Sequence, residues 1–246
     1  MKSKITLFLL VLVLFSSAVP ASGGDDFANS IIGREIIKIG LRFLDNPGDF
    51  FFNLHSDNED YSPVPKNKKG SFRFNFFPTF IPFTWANLNV KAKVFDEKNN
   101  LPQIDVIGMY GDILSLRLIS TETRPEFSDY SMGITAAKSI NEKTRLYGGI
   151  KYCAVNMYVK FSTPVTSGEF SMSSLDFKMS DTFVFTGISH QPNPDKIVVA
   201  QLGYGFKYNK IVSRLMVSHK HLDIGVNIYP EGLFVIHPFI AWHWFF

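Results

Sequence analysis

From residue 84 to residue 95 the chain reads TWANLNVKAKVF, with Ala86, Leu88, Val90, Ala92 and Val94 on even positions and Asn87, Asn89, Lys91 and Lys93 between them. In an extended strand the two sets face opposite sides, so one face is apolar along its length and the other carries amides and ammonium groups. The pattern recurs in DYSMGITAA (129–137), KIVVAQLGYGFKY (196–208) and HLDIGVNIY (221–229). Turn-forming clusters such as DEKNNLP, INEKTR, HQPNPDK, KYNK and YPEG separate these stretches. One turn is placed by parity. In KIVSRLMVSH the apolar set is odd (Ile211, Leu215, Val217), whereas from Leu222 it is even, so SHKH reads as a tight turn.

In order, the alternation predicts ten strands, over 71–80, 83–95, 102–119, 127–138, 145–161, 175–189, 197–207, 210–218, 221–229 and 233–246. The third and fifth exceed the roughly 9–11 residues that a tilted spanning strand requires, which leaves eight or twelve strands open. Ahead of them, FANSIIGREIIKIGLRFL spaces Ile32, Ile36, Ile39 and Phe43 three or four apart, as on an amphipathic helix, and residues 55–70 read as a polar linker. The organisation expected is therefore a signal peptide over 1–21, a helix and linker over 22–70 and a barrel over 71–246.

Alternation fits a soluble barrel or sandwich with an apolar interior and equally a membrane barrel with an apolar exterior. Composition separates them. Aromatic residues make up 15% and charged residues 19% of the 246, against about 25% charged in an average chain. The polar faces hold mostly Gly, Ser, Thr and Asn. Trp85, Phe95, Tyr110, Phe206, Tyr208 and Tyr229 lie near strand ends, where interfacial girdles sit. Counting back from the C-terminus in twos gives Phe246, Trp244, Trp242, Ile240, Pro238, Ile236 and Phe234, all apolar. This stretch resembles the closing strand of bacterial outer-membrane β-barrels, which typically ends on a C-terminal Phe with apolar residues at alternate positions before it. The resemblance implies an all-β, antiparallel transmembrane barrel, and a role for Ile240, Trp242, Trp244 and Phe246 as a signal to the barrel-assembly machinery. Pro238 departs from the pattern, because it lacks a ladder N–H.

The N-terminus agrees with export. Lys2 and Lys4 precede the uncharged run ITLFLLVLVLF, and Val19 and Ala21 stand before a cleavage site after residue 21. The expected location is the bacterial outer membrane, with its lipids as partners. Cys153 is the single cysteine, so no intrachain disulfide forms. A net charge of +3, part of it in the leader, offers no basic cluster for nucleic acid.

The candidate chemistry is sparse. His219 and His221 fall in a turn without a third ligand, and His237 and His243 are six residues apart, about 20 Å along a strand. Barrel enzymes that deacylate lipids resemble one another in a His-x-Ser pair, a base beside its nucleophile; no histidine here has Ser two places on. No cofactor or metal site is expected. The faces assigned inward carry Lys91, Lys93, Asp105, Arg117, Lys151, Lys207, Arg214 and Asp223. They support a structural or anchoring barrel filled by charged side chains; the alternatives are a narrow anion-preferring pore and a lipid-modifying enzyme. Residues 162–175 and 120–127 are the stretches expected to form long loops.

Overall fold

A computed structural model of the chain describes residues 59–77, 85–113, 126–167, 170–230 and 236–246. Ten antiparallel strands close into one barrel in the order β1-β10-β9-β8-β7-β6-β5-β4-β3-β2. They are β1 Gly70–Phe77, β2 Trp85–Phe95, β3 Gln103–Ile113, β4 Glu126–Ser139, β5 Thr144–Ser167, β6 Phe170–Asn193, β7 Lys196–Gly205, β8 Lys210–His219, β9 Leu222–Ile228 and β10 Ile236–Phe245. Each strand matches one predicted stretch. The third is described as far as Ile113; residues 114–119 of its predicted stretch, and most of the loop expected over 120–127, lie outside the described residues. The parity change is resolved as a two-residue turn, with Lys220 at φ 53°. The leader, the segment read as a helix and Arg117 lie outside the described residues.

Facing follows the pleat. On β2, Lys91 is 2% exposed and Val94 51% exposed. Around the wall Val106, Met132, Ile150, Leu202, Leu215 and Ile224 are exposed, while the residues between them point inward and are buried. Tyr110, Phe95 and Phe206 are exposed at strand ends, but Tyr229 is a correction to the expected girdle: it is buried, with its ring 4.9 Å from His237. Lys207 is likewise not inward. It lies past the end of β7, exposed, with its ammonium 5.3 Å from the Tyr208 ring.

The seam between first and last strands carries the closure. Ser71 pairs with Phe245 and Asn75 with Ala241, and a bulge brings Phe77 opposite Ile240. The terminal residue continues the ladder: Phe246 donates to the Gly70 carbonyl (3.1 Å), and its own carbonyl accepts from Lys69 and Gly70. Pro238 keeps its register opposite Val226 of β9 and lies past Ile240, the last residue of β10 with a partner on β1. Among the described residues the pairing with β1 therefore stops short of the position where proline lacks an N–H. Inside the seam, Arg73 of β1 donates to Asp223 of β9 (2.9 Å), and His243 Nδ1 of β10 lies 2.7 Å from the other oxygen of that carboxylate.

Residues 162–175, expected as a loop, are a correction. They continue β5 and β6 as a hairpin. Tyr158 is the last β5 residue with a partner on β4, and Phe183 the first β6 residue with a partner on β7. The β5–β6 pairing nevertheless runs on to Ser167 and Phe170. The hairpin so rises about 30 Å past the wall at ~3.3 Å per residue. Its apolar and polar positions alternate only weakly in the sequence, which is why it reads as a loop.

Inward glycines make room for rings. Gly225 faces Phe239 across the β9–β10 ladder, and a Cβ there would stand 2.6 Å from Phe239 Cζ and 2.4 Å from the Leu215 carbonyl. Gly187 opposes Tyr147 in the same way. Gly225→Val should therefore cost at least the ~1–3 kcal/mol of core overpacking. The expected outcome is a smaller fraction of chain in the compact form that runs fast on an unboiled gel; an unchanged fraction would mean that the ring is free to move aside.

Candidate functional site: the lumen and its strap

The barrel interior is not a water-filled tube. Residues 59–64 of the stretch read as a polar linker run inside it, and Glu59, Asp60, Tyr61, Ser62 and Val64 are all buried. This strap makes no ladder with the wall. Its backbone is satisfied instead by side chains. The Ser62 N–H donates to Asp60 Oδ1 (3.0 Å) and the Val64 N–H to Asp105 Oδ2 (2.8 Å). Pro63 and Pro65 have no N–H to satisfy, so each strap N–H from 62 to 65 is accounted for. The Tyr61 carbonyl accepts from Thr135, and the Ser62 carbonyl from Lys91. The Val64 carbonyl accepts from both Gln103 and Arg145 at 2.9 Å. A buried backbone needs such partners, and here wall side chains together with Asp60 of the strap supply these bonds.

The strap acids meet wall lysines. Lys91 donates to Asp60 Oδ2 (2.5 Å), the Ser62 carbonyl (2.9 Å) and Ser62 Oγ (3.3 Å), which uses all three ammonium hydrogens. Lys151 pairs with Glu59 and lies 4.5 Å from the ring centres of both Tyr61 and Phe183. These two lysines lie along one row of the sheet, through the register pairs Lys91–Ile107, Ile107–Gly133 and Gly133–Lys151. Below them Gln103 donates to both oxygens of Asp105 and accepts from Arg145 (2.8 Å), forming a clamp on the backbone of Val64.

Tyr61 also sits in an apolar band. Ile107, Ala137, Tyr147, Phe185, Val199, Met216 and Phe239 point inward and are buried around it, with Phe185 4.8 Å from its ring and its hydroxyl 3.3 Å from Ser131. Arg73 and Arg214 lie over the Phe239 ring at 5.3 and 4.8 Å. Beside the strap, between Glu59, Lys151, Phe183 and Arg214, a cavity of about 20 Å³ remains, room for roughly one water.

Of the residues singled out from sequence, Lys91, Asp105, Arg214 and Asp223 are buried in this interior. Lys93 lies lower, donating to the Lys66 carbonyl (2.6 Å) and pairing with Asp96 (2.9 Å). Lys91 and Asp105 meet through the strap. Asp223 belongs to a second cluster, with Arg73, His243 and Ser218, across four strands of the closing seam. Arg214 donates to Asn227 at 2.7 Å. Ile240, Trp244 and Phe246 are exposed on the outer face, Trp242 is partly so, and Phe246 lies 5.1 Å from the Phe72 ring. Sequence reasoning missed Glu59, Asp60, Tyr61, Gln103 and Arg145. One signal was present: inward cations outnumbered the inward anions assigned with them, and a buried ammonium needs a counter-charge.

The strap leaves at the end of the barrel that carries the chain terminus. There Lys66 lies 3.7 Å from Glu97, which also accepts from the Ser139 hydroxyl and N–H and pairs with Lys138. Partial burial pushes the Glu97 carboxyl up, but the Ser139 hydrogen bonds and the two lysines outweigh it and hold the pKa down at about 2, from 4.5.

A closed antiparallel barrel, apolar outside and charged inside, is the architecture of outer-membrane β-barrels. Among solved structures the chain is similar to Ail, the attachment invasion locus protein of Yersinia pestis, in a crystal structure (16% identity, 72% of this chain and 99% of that one, TM-score 0.33). It is also similar to the Yersinia pestis outer membrane protein Ail in a phospholipid bilayer nanodisc (16% identity, 72% and 100%, TM-score 0.30). A third similar structure is the KdgM porin in complex with disordered oligogalacturonate (8% identity, 72% and 99%, TM-score 0.34). No protein-family model and no curated protein matches the chain.

Two outcomes follow. Removing one member of a buried ion pair costs about 3–5 kcal/mol, more than removing both. Lys91→Met should therefore lower the urea midpoint of the barrel in lipid or detergent, and Lys91→Met/Asp60→Asn should recover part of the loss; strictly additive losses would mean that the pair is uncoupled. For Glu97 the folded pKa is depressed, so its contribution is full above the unfolded value of 4.5 and fades as pH falls towards about 2. Glu97→Gln should destabilise at pH 7 and converge with the parent near pH 2, in parallel urea titrations.

Proposed function

We propose that the chain is an integral barrel of the bacterial outer membrane, closed at rest by its own strap, which serves as a structural or anchoring barrel and carries the β5–β6 hairpin beyond the wall. The observation that carries this reading is the strap itself: Glu59, Asp60 and Tyr61 occupy the lumen where an open pore needs water. The outer face supports placement in lipid. A wall of Val, Ile, Leu and Met side chains suits hydrocarbon, and a sheet that closes on itself pairs each described strand with a neighbour on both sides. The turns 140–143, 194–195 and 220–221 fall at the end that carries the C-terminus, as periplasmic turns do, and the β5–β6 hairpin rises at the opposite end, which suits the cell exterior. Residues 1–21 are read as the cleaved export signal.

The partners in this reading are outer-membrane lipids, which meet the exposed belt, and the barrel-assembly machinery, which reads Ile240, Trp242, Trp244 and Phe246. The ring of Lys91, Arg145, Lys151 and Arg214 favours one second reading, a narrow anion-preferring pore, in any state that lacks the strap.

Purified barrel in a planar bilayer should show no steady conductance, and cell fractionation should place it in the outer membrane. A constant open current, or recovery in the soluble periplasm, would overturn the proposal. Deleting Phe246 removes the last two ladder bonds to Gly70 as well as the terminal ring. It should lower assembled barrel several-fold while synthesis is unchanged, as read by the unboiled-gel shift.

A further inference from the structure

The strap is bound as a ligand is bound. It shares no backbone ladder with the wall, so its withdrawal breaks no strand pairing. Two carboxylates on adjacent residues meet two lysines on one row of the sheet, and an aromatic ring fills the band between them. Part of the wall is held without the strap: Gln103 links Asp105 to Arg145, and the first and last strands pair through their own backbones. What the strap provides to Lys91 and Lys151 is negative charge, and carboxylates from another source provide the same.

Resting on the closed-barrel reading above, we propose that Lys91 and Lys151 form an anion site for small polycarboxylates in the lumen, that Glu59 and Asp60 are its resident intramolecular occupants, and that a competing polycarboxylate displaces the strap and opens a narrow anion-selective passage. Selectivity follows from the chemistry left behind. With the strap gone, Lys91, Lys151 and Arg214 face the space it filled, in a low-dielectric wall where fixed charge governs which ion enters. A monocarboxylate does not suffice, because it answers one lysine and leaves the other with its strap acid.

The displacement is read with a thiol on the strap. In a Cys153→Ser background, Ser62→Cys should be protected from a small water-soluble thiol reagent at rest. Millimolar tricarballylate should speed its labelling at least ten-fold, and acetate at matched ionic strength should not. Adding Lys91→Met and Lys151→Met should give labelling that no longer responds to tricarballylate. In planar bilayers Glu59→Gln/Asp60→Asn, checked for folding by its unboiled-gel shift, should conduct and pass chloride in preference to potassium. No acceleration by tricarballylate, equal acceleration by acetate, or a folded but non-conducting strap variant overturns the proposal. Should the cysteine variant fail to fold, the parent protein decides: tricarballylate, and not acetate, must induce openings. The failure of the closed-barrel reading looks different, since the untreated parent then conducts or is absent from the membrane.

Discussion

Charge has to be neutralised inside a wall whose outer face is hydrocarbon, and most of this structure answers that demand. A lysine on the outer face of such a barrel costs about 2–4 kcal/mol at mid-depth, so Lys91 and Lys151 point inward, and inward they need carboxylates. The neighbouring strands supply Asp105 and Asp223 for the cations beside them, but the direct ion-pair partners of Lys91 and Lys151 come from the strap. A segment that would otherwise be a solvated leader to the first strand is thereby drawn into the lumen. Its two prolines suit it to that place, because they reduce the number of N–H groups the wall must answer.

Closure is a second consequence of the same medium. An open sheet edge has no partner in lipid, so the first and last strands must meet and must be held in one register. Backbone bonds from Phe246 to Lys69 and Gly70 fix one end of the seam. Asp223 fixes the register from inside, by holding Arg73 of β1 and His243 of β10 together. Strap and seam are tied at the same end of the barrel, since Lys69 joins the C-terminus three residues after Lys66 meets Glu97. A chain in which the strap is seated has its first strand already positioned beside its last.

The interior packing shows how side chains without charge contribute. Phe239 lies over Gly225 and between two guanidinium groups, so the space left by the missing Cβ is filled and two arginines gain a ring to rest on. Tyr147 and Phe185 do the same on the opposite wall and receive Tyr61 of the strap. The lumen is thus a mixed core, with apolar rings and charged groups side by side, rather than the uniformly polar channel that the inward Gly, Ser, Thr and Asn residues imply.

Ten strands and most of their facing and turns were legible in the sequence, because an apolar outer face and a polar, charged inner face impose a period of two on each wall segment; Lys91 beside Val90 is enough to orient β2. The closing strand was legible for the same reason, down to Phe246. The hairpin past the wall was not, since the alternation fades beyond Tyr158. The strap was not legible either. Local pattern registers strand and helix, and residues 59–64 are neither; their partners lie 29 to 92 residues away on the wall. Only closure of the barrel brings Lys91, Asp105, Arg145 and Lys151 around one axis. Only there does the acidic pair Glu59–Asp60 become the counter-charge that fills the lumen, because neutralising a buried ammonium is a property of the assembled interior and of no single stretch of chain.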